Sequence, residues 1–101
     1  MTPGKTLVLG VSSRPGQYSH EAVLRLLQAG HPVLGIGREE FSLSGVQITK
    51  SFPEREDIDT VTLYLNPERQ QEYIERIIEL HPRRIIFNPG TENPAFIQKA
   101  K

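Results

Sequence analysis

The stretch from Thr6 to Ser19 constrains the fold more than any other part of the chain. Leu7, Val8 and Leu9 form an unbroken apolar run. A strand that is apolar on both faces is buried on both faces, as in a parallel sheet covered by helices. At Gly10 the composition switches to Gly, Ser and Pro, and a helical pattern then begins. A strand, a small-residue loop and a helix N-terminus, in that order, make an anion cradle. Small residues let backbone N–H groups approach a phosphate, and the helix dipole favours negative charge there.

The first strand is expected over about Thr6 to Val11, and the first helix near Ser19, which reads as its N-cap. Val23, Leu26 and Leu27 form the apolar stripe of that helix, and Gly30 with Pro32 ends it. Pro32 to Gly37 reads as a second short strand, with glycines that permit close backbone or ligand approach. Arg38, Glu39 and Glu40 follow, then a polar loop from Phe41 to Gly45 and a brief edge strand, Val46 to Ile48. Ser51 to Ile58 reads as loop or one helical turn. Thr60 to Leu65 is a third good strand. Asn66 caps the next helix, with Pro67 at its first position. Ile74, Ile77 and Ile78 supply its apolar stripe up to His81-Pro82. Arg84 to Phe87 is a further strand, Asn88 to Asn93 a second small-residue loop, and Asn93-Pro94 the start of a last short helix holding Phe96 and Ile97.

Strands alternating with helices imply parallel pairing and right-handed crossovers. The expected architecture is one α/β domain over 1–101. It is a three-layer Rossmann-like fold, with a mostly parallel sheet of about five strands and helices on both faces. Ligands in such sheets bind outside the carboxyl ends of the strands, where strand order reverses. The loops that follow Gly10, Gly37, Leu65 and Phe87 all open onto that edge.

Composition narrows the function classes. Lys+Arg and Asp+Glu are 12 each, so there is none of the basic excess expected of a nucleic-acid binder. The absence of cysteine removes disulfides, thiolate metal sites and a Cys nucleophile. No stretch has the length of a membrane span or the pattern of a signal peptide, so the expected location is the cytoplasm.

The first loop is not a dinucleotide fingerprint. Ser12 and Pro15 stand where G-x-G-x-x-G requires Gly and Gly or Ala. Ser12 and Ser13 can still bond phosphate oxygens, Arg14 can pair with them, and Tyr18 can lie against an adenine or a pantetheine arm. Arg38, at the ribose-binding position of such folds, favours a phosphorylated ribose, as in NADP or coenzyme A; Glu39 and Glu40 beside it leave the sign open. Arg69 either reaches an anion or sits on an exposed helix face. Gly90 implies an unusual backbone angle or close ligand approach. Catalytic signals are weak. His31 and His81 each precede a proline at a helix end, Ser19 and His20 are chain neighbours that would point apart, and no His or acid cluster has metal-ligand spacing. Glu92 is the one acid with apparent purpose in a binding-edge loop; it either polarises a bound group or suits the helix dipole.

Gly10-Val11-Ser12-Ser13 with Tyr18-Ser19, Tyr64-Leu65-Asn66-Pro67, and Phe87-Asn88-Pro89-Gly90-Thr91-Glu92-Asn93 together resemble the small stand-alone CoA-binding proteins. These are similar to the N-terminal CoA-binding domain of the succinyl-CoA synthetase alpha subunit. The resemblance covers nearly the whole chain. It implies that Gly10, Ser12, Ser13 and Arg14 border the phosphates and that Gly37 and Arg38 lie near the nucleotide end. By the same resemblance Tyr64, Leu65, Asn66 and Arg69 line the cofactor, and Asn88, Pro89, Gly90 and Thr91 flank the pantetheine. The synthetase's phosphorylated histidine lies outside this domain, so the resemblance implies binding of coenzyme A or an acyl-CoA without the ligase reaction. Relatives continue into another strand after the last helix. The strand holding Ile85 and Ile86 is therefore expected to be covered by a partner chain, by a second copy of this chain, or by residues missing here. Two other functions remain open: an NAD(P)-binding regulator or small oxidoreductase, and an interaction subunit whose pocket has decayed.

Overall fold

The computed structural model describes residues 5–52, 58–65 and 67–88. In chain order the elements are β1 (Lys5–Val11), α1 (Tyr18–Gln28), β2 (Val33–Gly37), β3 (Phe41–Leu43), β4 (Val46–Thr49), β5 (Ile58–Leu63), α2 (Pro67–Gln70), α3 (Ile74–Glu79) and β6 (Arg84–Phe87). They build a six-stranded sheet of order β3-β4-β2-β1-β5-β6. All neighbours run parallel except β3 and β4. From β1 the chain moves one way through α1 to β2, and later the other way from β5 through α2 and α3 to β6. Crossovers of one hand made in opposite directions place their helices on opposite faces.

The core follows from this arrangement. Leu7 and Leu9 of β1 point to the α3 face, where they meet Val61, Leu63, Ile74 and Ile77. Val8 points to the α1 face and packs with Val23, Val33 and Ile48. Strict alternation would put Val11 with Leu7 and Leu9, yet it packs with Val8. The cause is a bulge: Leu9 pairs with Ile36 and Val11 with Gly37, so Gly10 is an extra residue, held at φ +98°. The central strand thus turns its last side chain over at the mouth of the first loop. Where β2 ends, a Cβ on Gly37 would collide with the Val11 carbonyl oxygen, so the bulge and β2 fit only through that glycine.

Four sequence expectations change. Phe41 to Gly45 is not a polar loop. Phe41–Leu43 is a strand paired antiparallel with β4 through a two-residue turn, Ser44-Gly45, with φ values of +48° and +89°. Positive φ at both turn residues matches the twist of a tight hairpin. This strand raises the total to six and makes β4 an internal strand between β3 and β2. Ser19 is not the cap of α1. The helix starts at Tyr18, its N-cap is Gln17, and no side chain bonds there. The α1 C-terminus does follow its prediction: Gly30 N–H donates to the Leu27 carbonyl and His31 N–H to that of Leu26, the paired bonds of a left-handed helix stop. The helix expected after Asn66 is two pieces, α2 and α3, separated by a turn whose Gln71 and Tyr73 N–H groups bond carbonyls three residues back. Finally β5 begins at Ile58 and ends at Leu63, so Tyr64 and Leu65 belong to the loop. The expected last helix and the 89–93 part of the second small-residue loop lie outside the described residues.

Candidate functional site

Strand order reverses between β1 and β5, and a cleft of about 710 Å³ opens at the carboxyl ends of β1, β2 and β5. Nine of the residues singled out above line it: Gly10, Ser12, Ser13 and Arg14 from the first loop, Gly37 and Arg38 from the end of β2, and Tyr64, Leu65 and Arg69 from the loop after β5 and from α2. Ile36 and Leu65 contribute apolar surface. Tyr18 and Asn88 are not in this cleft; they line a second one on the α1 side of the sheet. Asn66, Pro89, Gly90 and Thr91, with Glu92, lie outside the described residues.

Sequence reading missed Gln17, Lys50 and Tyr73, which also line the cleft. Lys50 follows β4. Because Ile36 pairs with Thr49, Lys50 emerges beside Gly37 at the same sheet edge. Recognising the β3–β4 hairpin would have carried Lys50 there. Among the described residues the cleft therefore gathers four cations, Arg14, Arg38, Lys50 and Arg69, and one carboxylate, Glu39. The chain as a whole is neutral. This local excess suits a ligand carrying several negative charges.

The first loop is braced from within. The Ser12 N–H donates to Ser19 Oγ at 2.9 Å. His20 Nδ1 donates to the Ser12 carbonyl at 2.8 Å, and the Arg14 N–H donates to Ser12 Oγ at 3.1 Å. Ser19 and His20 are both buried, and both hold Ser12. They are a structural clamp: the neighbours expected to point apart converge on the Ser12 backbone. Two loop N–H groups are thus committed internally, so the charge for an anion comes from side chains more than from the backbone. Ser13 Oγ donates to Glu39 Oε1 at 3.3 Å and ties this loop to the one after β2.

The opposite wall is set by β5. Tyr64 N–H donates to the Leu9 carbonyl at 2.9 Å, extending the β1–β5 ladder by one bond. Fully buried Gln70 donates from Nε2 to the Leu65 carbonyl at 2.7 Å, which fixes the turn into α2 and with it the base of Arg69. Asn88 donates to the Leu63 carbonyl at 2.7 Å and to Thr62 Oγ1 at 2.9 Å, closing the end of β6 onto β5. His31 and His81 serve helix ends through their backbones; His81, at φ +51°, donates its N–H to the Ile78 carbonyl. Among the described residues no helix is long and apolar enough to cross a membrane.

The fold and this cleft define a Rossmann-like α/β domain with cationic side chains gathered at the carboxyl edge of its sheet. The chain belongs to the CoA binding domain family, whose model matches residues 4–101. Among solved structures, an uncharacterized protein is 40% identical with a TM-score of 0.89, over 95% of this chain and 79% of that one. A hypothetical protein from Pyrococcus horikoshii is 23% identical, TM-score 0.85, over 96% of this chain and 69% of that one. A protein from Thermus thermophilus is 22% identical, TM-score 0.82, over 96% and 75%. The last two share the fold. No curated protein matches the chain.

Proposed function

We propose that the chain binds coenzyme A or an acyl-CoA in the cleft at the β1–β5 switch point and performs no chemistry of its own there. The observation that carries this reading is the convergence of Arg14, Arg38, Lys50 and Arg69 on one cleft of a neutral chain. Coenzyme A carries a diphosphate and a ribose phosphate. Arg14 with Ser12 and Ser13 borders the diphosphate, and Arg38 with Lys50 meets the ribose phosphate. Tyr64 and Leu65 pack against the arm that leaves the diphosphate. Binding without catalysis is supported by the commitments of Ser19 and His20. The serine hydroxyl and the imidazole Nδ1, the nearest approach to a nucleophile and base, both hold the Ser12 backbone.

Calorimetric titration of the chain with coenzyme A, NAD and NADP tests the reading. Micromolar or tighter binding of coenzyme A, with both dinucleotides weaker, is expected. A dinucleotide that binds more tightly than coenzyme A overturns it in favour of an NAD(P) protein. No heat and no thermal stabilisation with any of the three overturns it in favour of an interaction subunit.

A further inference from the structure

We propose that the second cleft, on the α1 face of the sheet, holds the apolar acyl group of an acyl-CoA whose nucleotide occupies the first; this rests on the coenzyme A reading above. The second cleft measures about 950 Å³ and lies between α1 and β6. Its floor is the row Thr60, Thr62 and Tyr64. Thr60 and Thr62 are buried, and both hydroxyls are already partnered. Thr60 Oγ1 donates to Asp59 Oδ2 at 3.1 Å, and Thr62 Oγ1 accepts from Asn88 Nδ2. Both floor hydroxyls are therefore bonded within the protein.

The α1 wall carries an apolar row beside two charged residues, Glu21 and Arg25. Tyr18, Ala22 and Leu26 follow one another at four-residue intervals on α1 and all line the cleft. Ile86 of β6 lies across from them. Tyr18, 87% exposed, and Ile86, 42% exposed, are the large apolar side chains left open to solvent among the described residues. Both border this one cavity. Apolar side chains exposed on facing walls of a ligand-sized cavity mark a site for an apolar group.

Continuity identifies the ligand. Tyr64 lines both clefts, and Gly16 and Tyr18 flank Gln17, which lines the first. A molecule with a polyanionic head in the first cleft, a flexible arm past Tyr64 and an apolar end in the second is a thioester of coenzyme A. Thr60 lies four residues from Tyr64, roughly 13 Å along the strand. At that level Arg84, paired in register with Thr60, ends the apolar run, and His31 lines the cleft as well. The cleft suits an acyl chain of medium length.

The test compares coenzyme A with octanoyl-CoA by calorimetry on the full chain and on Ala22→Trp and Ile86→Gln, which alter opposite walls. Two variants are used so that a folding failure of one leaves the other. Octanoyl-CoA is expected to bind the parent at least about tenfold more tightly than coenzyme A, because several methylenes leave water. Within each folded variant the ratio is expected to fall to about twofold or less. Equal affinities in the parent overturn the inference while leaving the coenzyme A reading in place. So does a tenfold ratio that survives in both variants. Sedimentation showing a dimer that Ala22→Trp dissociates, with no acyl preference, assigns this face to a second copy instead. No binding of either thiol or thioester overturns the coenzyme A reading and this inference with it.

Discussion

Gly10→Ala tests whether the first loop is shaped by its contact with β5. Gly10 sits at φ +98°, and a Cβ added there meets Leu65 Cδ2 at 2.9 Å, Leu65 Cγ at 3.2 Å and the Tyr64 carbonyl carbon at 3.2 Å. The backbone strain alone costs about 1.5 kcal/mol for a non-glycine residue. Leu65 cannot swing away freely, because it is buried and its carbonyl is held by Gln70. Tyr64 is tied to Leu9 by its own N–H. Overpacking against these neighbours adds roughly 1.5 kcal/mol more. A loss of about 3 kcal/mol lowers the melting temperature of a domain this size by at least about 12 °C. Gly16→Ala is the control: its φ is +91°, but nothing lies within 4 Å of the added Cβ. It should lose about half as much, from strain alone. Thermal melts followed by circular dichroism, with guanidinium titrations to convert them to free energy, measure both. Equal losses in the two variants would refute the packing argument.

Ser12→Asp keeps an acceptor for the Arg14 N–H and so should melt near the parent temperature. It brings a like charge to the phosphates and should weaken coenzyme A binding by about tenfold or more; unchanged calorimetric affinity would remove the loop from the site. Lys50→Glu should weaken binding to a similar degree, and the parent affinity should drop as sodium chloride rises, because exposed charges are screened over about 8 Å at physiological salt. Salt-independent binding would argue against charge as its basis. Gln70→Ala leaves the buried Leu65 carbonyl without this donor and opens a cavity beside it. We expect a loss of about 2–4 kcal/mol in urea unfolding; a loss below 1 kcal/mol, on the scale of a surface change, would count against the role given to that bond.

Much of this architecture can be read along the chain, and most of the differences have one physical cause. Leu7 to Leu9, Val23 with Leu26 and Leu27, and Ile74 with Ile77 and Ile78 announce their elements by local apolar spacing. Their burial on two opposite faces follows from parallel pairing. The hairpin was also legible. Phe41-Ser42-Leu43 and Val46-Gln47-Ile48 each alternate apolar and polar residues around Ser44-Gly45. Reading the first of these as loop cost Lys50 its place at the site. The remaining differences depend on tertiary partners that sequence spacing does not display. Ser19 looks like a cap because nothing local shows that its hydroxyl meets the Ser12 N–H. The helix after Asn66 looks continuous because nothing local shows Gln70 turning inward to Leu65. Val11 changes faces because one glycine enters the ladder as a bulge.

The bracing of Ser12 also bears on how such a loop discriminates between ligands. In a glycine-rich fingerprint the backbone approaches the pyrophosphate directly, and glycines make room for that approach. Here serines occupy the tight positions, and the N–H groups of Ser12 and Arg14 are committed to Ser19 and to the Ser12 hydroxyl. The loop is held from beneath by Ser19 and His20 in the first turn of α1. On the reading proposed above, recognition falls to cations carried by four different segments: Arg14 on the first loop, Arg38 after β2, Lys50 after β4 and Arg69 on α2. Charges spread in this way reward a ligand with separated phosphates over one with a single compact diphosphate. That difference distinguishes coenzyme A, with its additional ribose phosphate, from NAD. On the coenzyme A reading, Ser12 and Pro15 can then replace the fingerprint residues without removing the anion from this edge.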